Sequence, residues 1–293
     1  MELYKKYKKW PKIELHRHLE ASFSMESIAP YLPSTLSEEH LCLSPSRTLG
    51  EVLKKFEIIQ AAFTSKKIIK NLTYEAMKNA ALDNIKILEL RYSPSFMCAK
   101  TNLSWEDSLD GALEGISQGE KDYKMVAGVI LISSRDYGME SCKKTLDLAL
   151  KYKDHVIGVD LAGVERGFAP KLYKKEFQRL SHPIPLPSSE KGRNLGITIH
   201  AGETEFSENI EDAVNLLHAQ RIGHGIQIMH HPEMLQKMIQ QKIHFEISLT
   251  SNFITQAVKT LEEHPAKKFL DQGLSLSLNT DDPLFFGIDL TSE

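Results

Sequence analysis

Apolar and polar positions along this chain alternate between two patterns. Short runs rich in aliphatic and β-branched side chains, each closed by turn-forming residues, stand near 12–18, 85–92, 124–132, 156–162, 196–201, 221–226, 243–249 and 274–280; their length and composition predict strands. Between them lie stretches with apolar residues at helical spacing, such as "SWEDSLDGALEGISQGEKDY", "SCKKTLDLALKYKDH", "NIEDAVNLLHAQ" and "HPEMLQKMIQQK", which predict amphipathic helices. Strand followed by helix, repeated along the chain, predicts parallel strands with right-handed crossovers. Several of the runs are apolar throughout, as strands covered on both faces should be. With eight candidate strands, the expected fold is α/β, a (β/α)8 TIM-type barrel.

Two stretches interrupt the regular alternation. Residues 20–84 separate the first two strands and contain "TLGEVLKKFEIIQAAFTSKKIIKNLTYEAMKNAALDN" after a Pro/Ser-rich stretch around 30–47, so a helical insertion is expected after strand 1, placed as a cap. The segment "LSHPIPLPSSEKGRN", 180–194, has the composition of an exposed loop. No internal repeat or low-complexity tract is present. A length of 293 residues suits one barrel domain spanning 1–293.

Composition narrows the function classes without choosing among them. The chain is 41% hydrophobic and 26% charged, ordinary for a globular protein with an ample core. A net charge of −3 gives no broad attraction for nucleic acid or anionic membranes. The lysine-rich start "MELYKKYKKW" reads as a short solvated arm and lacks the apolar core of a signal peptide. No run of apolar residues is long enough for a membrane span, and a cytoplasmic location is expected. Cys42, Cys98 and Cys142 are widely spaced and form no Cys-x-x-Cys, which speaks against disulfide scaffolds, thiolate zinc sites and redox motifs.

The chemistry gathers where barrel strands end. Strand 1 ends in "HRH" with His16 and His18, strand 5 in "HAGETE" with His200 and Glu203, strand 6 in "GHG" with His224, and strand 8 in "LNTDDP" with Asp281 and Asp282. Strand alternation sends His16 and His18 to one face. Imidazoles and a carboxylate at neighbouring strand ends suit a first-row divalent ion with one position left for water. Each element alone has a plainer account. A His-x-His can be satisfied by backbone, Asp281-Asp282 before Pro283 can be a turn and helix cap, and Glu203 can be a carboxylate at a helix start.

In order and spacing, "ELHRHLE", "LRYSP", "VDLAGVE", "TIHAGETE", "RIGHGI", "LTSN" and "SLNTDDP" resemble the adenosine deaminase family, metal-dependent purine aminohydrolases on a (β/α)8 barrel. The resemblance covers essentially the whole chain. It implies one Zn2+ per chain, bound by His16, His18, His200 and Asp281. It implies Glu203 as proton donor to purine N1 and His224 as the group that orients and deprotonates the water; with Asp281 these form the catalytic set. His18, Glu20, Gly163 and Asp282 would meet the substrate, Gly163 through its backbone N–H at N3 and Asp282 at N7. The chemistry is coherent: water of pKa about 15.7 becomes a useful nucleophile once a metal lowers that value towards about 7. Addition to C6 pushes electrons onto N1, where an acid must stand.

Two departures from the family pattern bear on function. Adenosine-specific members read Leu-Asp-Gly after the metal pair, whereas this chain reads Leu19-Glu20-Ala21. Members acting on adenine or on aminodeoxyfutalosine can carry Glu there. The expected reaction is deamination of adenosine or deoxyadenosine to inosine or deoxyinosine and ammonia, with adenine or a modified adenine nucleoside as the alternative. The chain also stops at Glu293, about a dozen residues past strand 8, where the family continues with a last barrel helix; an intact partner, a missing segment or reduced stability is expected to account for the difference. A binuclear amidohydrolase would recruit a lysine carbamate that "VIGVDLAGVE" lacks, a catalytically dead relative would have lost a ligand, and a nucleic-acid binder would need a basic face or aromatic platform. The expected partner is a small purine nucleoside, with neither nucleic acid nor membrane, and oligomeric state is not legible.

Overall fold

The computed structural model describes residues 2–43, 49–180 and 194–293; the loop expected over 180–194 falls almost wholly outside them. Eight strands alternate with helices: β1 Lys12–His18, β2 Ile85–Tyr92, β3 Val126–Ser134, β4 Val156–Ala162, β5 Gly196–Ala201, β6 Arg221–His224, β7 His244–Ile247 and β8 Ser275–Leu278. They follow one another in a single sheet in chain order, β1 to β8, the order of a (β/α)8 barrel. The longer helices are α1 Glu2–Lys8, α2 Leu49–Ile59, α3 Lys66–Leu82, α4 Trp105–Tyr123, α5 Gly138–Lys151, α6 Glu208–Leu217, α7 Pro232–Gln240 and α8 Ala266–Asp271. Among the described residues no helix is long and apolar enough to cross a membrane. Packing divides the chain into two units, one of residues 1–128, 248–264 and 277–293, the other of 129–247 and 265–276.

In the first unit β1 pairs in parallel with β2, and Asp281, three residues past the end of β8, joins β1 through a bridge to Arg17. The stretch expected to be one helical segment is two helices. Ile59 hands over to a turn at Gln60–Ala62, and the Ser65 hydroxyl then accepts the Ile68 N–H to start α3, a local bond that outcompetes continuation. Ser104 caps α4 in the same way through Asp107 N–H at 3.0 Å. The lysine-rich start is a helix rather than a free arm. Lys8 lies 2.6 Å from Asp289 and 3.0 Å from Asp83, and Tyr4 donates to Asp289. Buried Glu14 accepts both the N–H and the hydroxyl of Thr280, at 3.1 and 2.9 Å, and burial pushes its pKa up to about 7.

In the second unit β3 to β7 are parallel neighbours. Strands β3 and β4 are buried almost end to end, in keeping with their unbroken apolar sequence. Leu161, Phe177, Ile199, Ile222, Phe245 and Phe269 form the apolar core. An ion pair with a fully buried carboxylate adjoins it: Arg221 Nε stands 2.8 Å from Glu246, whose two oxygens also take the Thr198 hydroxyl. None of the three cysteines is joined in a disulfide.

Candidate active site

In the first unit, β1 delivers His16 and His18 on one face, as its alternation predicts, with ring centroids 5.6 Å apart. The backbone sets the carboxylate against them. Asp281 N–H donates to the His16 carbonyl at 3.0 Å, and His18 N–H donates to the Asp281 carbonyl at 2.9 Å. Asp281 Oδ1 then lies 3.3 Å from His16 Nε2 and 3.2 Å from His18 Nε2. Its other oxygen accepts the Ser251 hydroxyl at 2.7 Å. Burial opposes a charge on His18, yet Asp281 beside it holds its pKa above the ordinary value; the same field attracts any cation placed there. Asp281 adopts φ 60, a left-handed conformation that costs most residues about 1–2 kcal/mol.

Asp282 is also buried, and donor atoms of His18, Asp281 and Asp282 fall within 4.8 Å of one another. It is the N-cap residue of the single-turn helix Pro283–Phe286, whose N–H groups its carbonyl accepts, with no capping hydrogen bond from its side chain. Glu20, 2% exposed, accepts the Ser93 N–H through Oε1 at 2.7 Å. Its Oε2 is buried with no hydrogen-bonding partner among the described residues. Burial pushes its pKa up, against the opposing pull of His18. Aromatic rings stand alongside: Phe56 lies 6.1 Å from His18, 5.7 Å from Phe96 and 4.8 Å from Phe285, centroid to centroid.

In the second unit, β5 and β6 pair so that His200 stands opposite Gly223 and Ala201 opposite His224. That register brings the His200 and His224 rings to 5.2 Å. On the adjacent β4, Asp160 is fully buried. Its Oδ2 stands 2.9 Å from His200 Nδ1 and its Oδ1 accepts the His200 N–H at 3.3 Å. A carboxylate at Nδ1 favours the proton there and directs the Nε2 lone pair away, the arrangement typical of metal-binding imidazoles. Glu203 is buried just past β5, and His224 has φ 59. Gly163 follows β4 at φ 95, and a Cβ there would stand 2.2 Å from Asp136 Oδ2. The glycine is therefore required by its backbone, with Asp136 filling the space beside it.

Each unit thus brings its own candidates together: His16, His18, Asp281 and Asp282 in one, His200 and His224 in the other. Asp160 and Ser251 did not emerge from the sequence. The signal for Asp160 was a charged residue inside an otherwise apolar strand, "VIGVDLAG"; Ser251 lay within "LTSN" with nothing to mark its partner.

The sequence pattern of the family described as adenosine deaminase matches residues 11–293. An adenosine deaminase of Shewanella denitrificans is 33% identical, covering 97% of this chain and 86% of its own length. The adenine deaminase of Arthrobacter aurescens shares the fold, with a TM-score of 0.85 at 24% identity over 96% of this chain and 85% of its own. Arabidopsis ADAL complexed with GMP gives a TM-score of 0.81 at 25% identity over 98% of this chain and 86% of its own. The family match begins one residue before β1 and runs to the last residue, enclosing every strand and every candidate side chain, and the chain belongs to the adenosine deaminase family as a hydrolase of that type.

Proposed function

We propose that the protein is a cytoplasmic enzyme that hydrolyses the C6 amine of adenosine and deoxyadenosine, releasing ammonia and inosine or deoxyinosine, with one zinc ion held by His16, His18, His200 and Asp281. The observation that carries this reading is the pair of buried-strand imidazoles, at 3.3 and 3.2 Å, directed at one oxygen of Asp281. Three imidazoles and a carboxylate suit zinc, and the outer partners Ser251 and Asp160 hold two of them from behind. When bound, zinc lowers the pKa of water from about 15.7 towards about 7 and so supplies a nucleophile at neutral pH.

The chain's own residues do the rest. His224 orients the water that adds to C6 and takes its proton, later passing it to the departing amine. Glu203, in its acid form, gives a proton to N1 as the ring accepts electrons. Gly163 offers its N–H to N3, Asp282 faces N7, and Glu20 Oε2 accepts the ribose 5′-hydroxyl. Glu20 is also where a second reading enters, because the longer carboxylate suits adenine or a 5′-modified adenine nucleoside as well.

Glu203→Gln should keep its metal and bind purine nucleosides while losing at least about 10² in turnover, the scale of general acid catalysis. Undiminished ammonia release by that variant would overturn the assignment. Comparing kcat/KM for adenine, adenosine and a 5′-extended adenine nucleoside chooses the substrate, and a tenfold advantage for the extended compound would replace adenosine.

A further inference from the structure

The loop after β4 holds more than Gly163. Glu165, 8% exposed, accepts the Gly202 N–H through Oε2 at 2.9 Å and the Glu203 N–H through Oε1 at 3.1 Å. Asn209 donates its side-chain amide to the same Oε2 at 2.7 Å. From the other side Gln227 donates its backbone N–H to the Gly202 carbonyl at 3.0 Å and its side-chain amide to the Glu203 carbonyl at 3.2 Å. All backbone polar groups of Gly202 and Glu203 are therefore gripped from outside β5, around a left-handed glycine at φ 64.

Arg135, fully buried, braces this grip. Its Nε donates to the Phe168 carbonyl at 3.1 Å, one terminal nitrogen to the Gly163 carbonyl at 3.3 Å, and the other to the His200 carbonyl at 2.7 Å. One guanidinium thus ties the loop that carries Glu165 to the strand end that precedes Glu203.

We propose that Glu165 is a positioning residue for Glu203, its carboxylate fixing the Gly202–Glu203 backbone so that the Glu203 carboxyl meets purine N1 in one direction. The proposal rests on Glu203 being the proton donor. Three donors converge on two oxygens, a demand a carboxylate meets and an amide does not, because its NH2 would confront one of the N–H groups. A misplaced acid loses rate steeply, by about 10² for a displacement near 1 Å.

The test is a cycle of zinc-loaded wild type, Glu165→Gln, Glu203→Gln and the double variant, with metal content measured for each. Glu165→Gln should lower kcat on adenosine by about 10- to 100-fold, leaving KM within about threefold and metal content unchanged. In the Glu203→Gln background the same change should alter kcat by less than about twofold, since its route of action is already gone. On the metal-free chain, amide hydrogen exchange at Gly202 and Glu203 should quicken in Glu165→Gln. If that variant does not fold, Asn209→Ala takes its place in the cycle, with an expected loss of about three- to tenfold. Equal fold-losses in both backgrounds, wild-type kcat in Glu165→Gln, or unchanged exchange at 202–203 would overturn the proposal. Wild-type turnover in Glu203→Gln alone would instead remove the acid assignment, while the exchange result still reports on Glu165.

Discussion

Replacing Asp160 by Asn measures how much zinc affinity resides in a residue that is not itself a proposed ligand. Asp160 is fully buried, with Oδ2 2.9 Å from His200 Nδ1 and Oδ1 accepting the His200 N–H at 3.3 Å. Asparagine keeps the shape but presents one acceptor and one donor group. If its NH2 meets the ring, the imidazole must place its proton on Nε2, where the metal needs a lone pair. If its NH2 meets the backbone, a buried N–H loses its acceptor, at about 1–3 kcal/mol. Either arrangement also removes negative charge from behind a cation site. Partners of this kind are worth about 10- to 100-fold in metal affinity, or about 1.4–2.7 kcal/mol. The assay is zinc competition against a chromophoric chelator, run beside thermal denaturation of the metal-stripped proteins. Asp160→Asn should bind zinc about 10- to 100-fold more weakly. An affinity within twofold of wild type would refute the tautomer argument.

Ser251→Ala removes the hydroxyl bonded to Asp281 Oδ2 at 2.7 Å and should weaken zinc binding by about three- to tenfold with a stability loss near 1 kcal/mol, read by the same competition and by denaturation. Gly163→Ala should destabilise by about 1–3 kcal/mol, mostly through its φ of 95. Asp136, whose exposed carboxylate end can swing aside, should return less than about 1 kcal/mol when also changed to Ala; full rescue in a double-mutant cycle would show that the clash dominates. Zinc at about 1,000 times its dissociation constant should stabilise the stripped chain by about 4 kcal/mol, and an unchanged melting curve would contradict a folded-state site. Burial works against the Asp289 charge, but hydrogen bonds from Lys8 and Tyr4 outweigh it and hold its pKa below the ordinary 3.8. The clasp on α1 is thus complete above that value and is lost as pH falls through the lowered one. Trp10 fluorescence should report release in acid for wild type and already at neutral pH for Asp289→Asn.

Much of the fold was legible because period and composition agree along this chain. β1, β2, β4 and β5 lie where the apolar runs predict them, while β3 starts two residues late, at Val126. Lys124, included in the run, adopts φ 51 and closes α4, and a single left-handed residue leaves no mark on hydrophobic periodicity. Leu249 likewise begins the helix Leu249–Ile254 instead of ending β7. The start of the chain misled because its lysines look solvated, whereas the partners of Lys8 are Asp83 and Asp289, 75 and 281 positions away. Separations of 30 and 40 positions likewise hide Ser251 from Asp281 and Asp160 from His200. Ligand-type residues at strand ends advertise themselves; the side chains that aim them do so only once the fold has been drawn.

Two of the proposed reacting groups occupy backbone that a side chain resists: His224 at φ 59 and Asp281 at φ 60. Glycine would relieve about 1–2 kcal/mol of that strain at either place while erasing the chemistry. A mutant library sorted for heat resistance without metal would therefore place no value on the chemistry of these two side chains and would be free to exchange them. Selection for turnover must hold them in place, so activity and durability would have to be screened together in any attempt to re-engineer this scaffold.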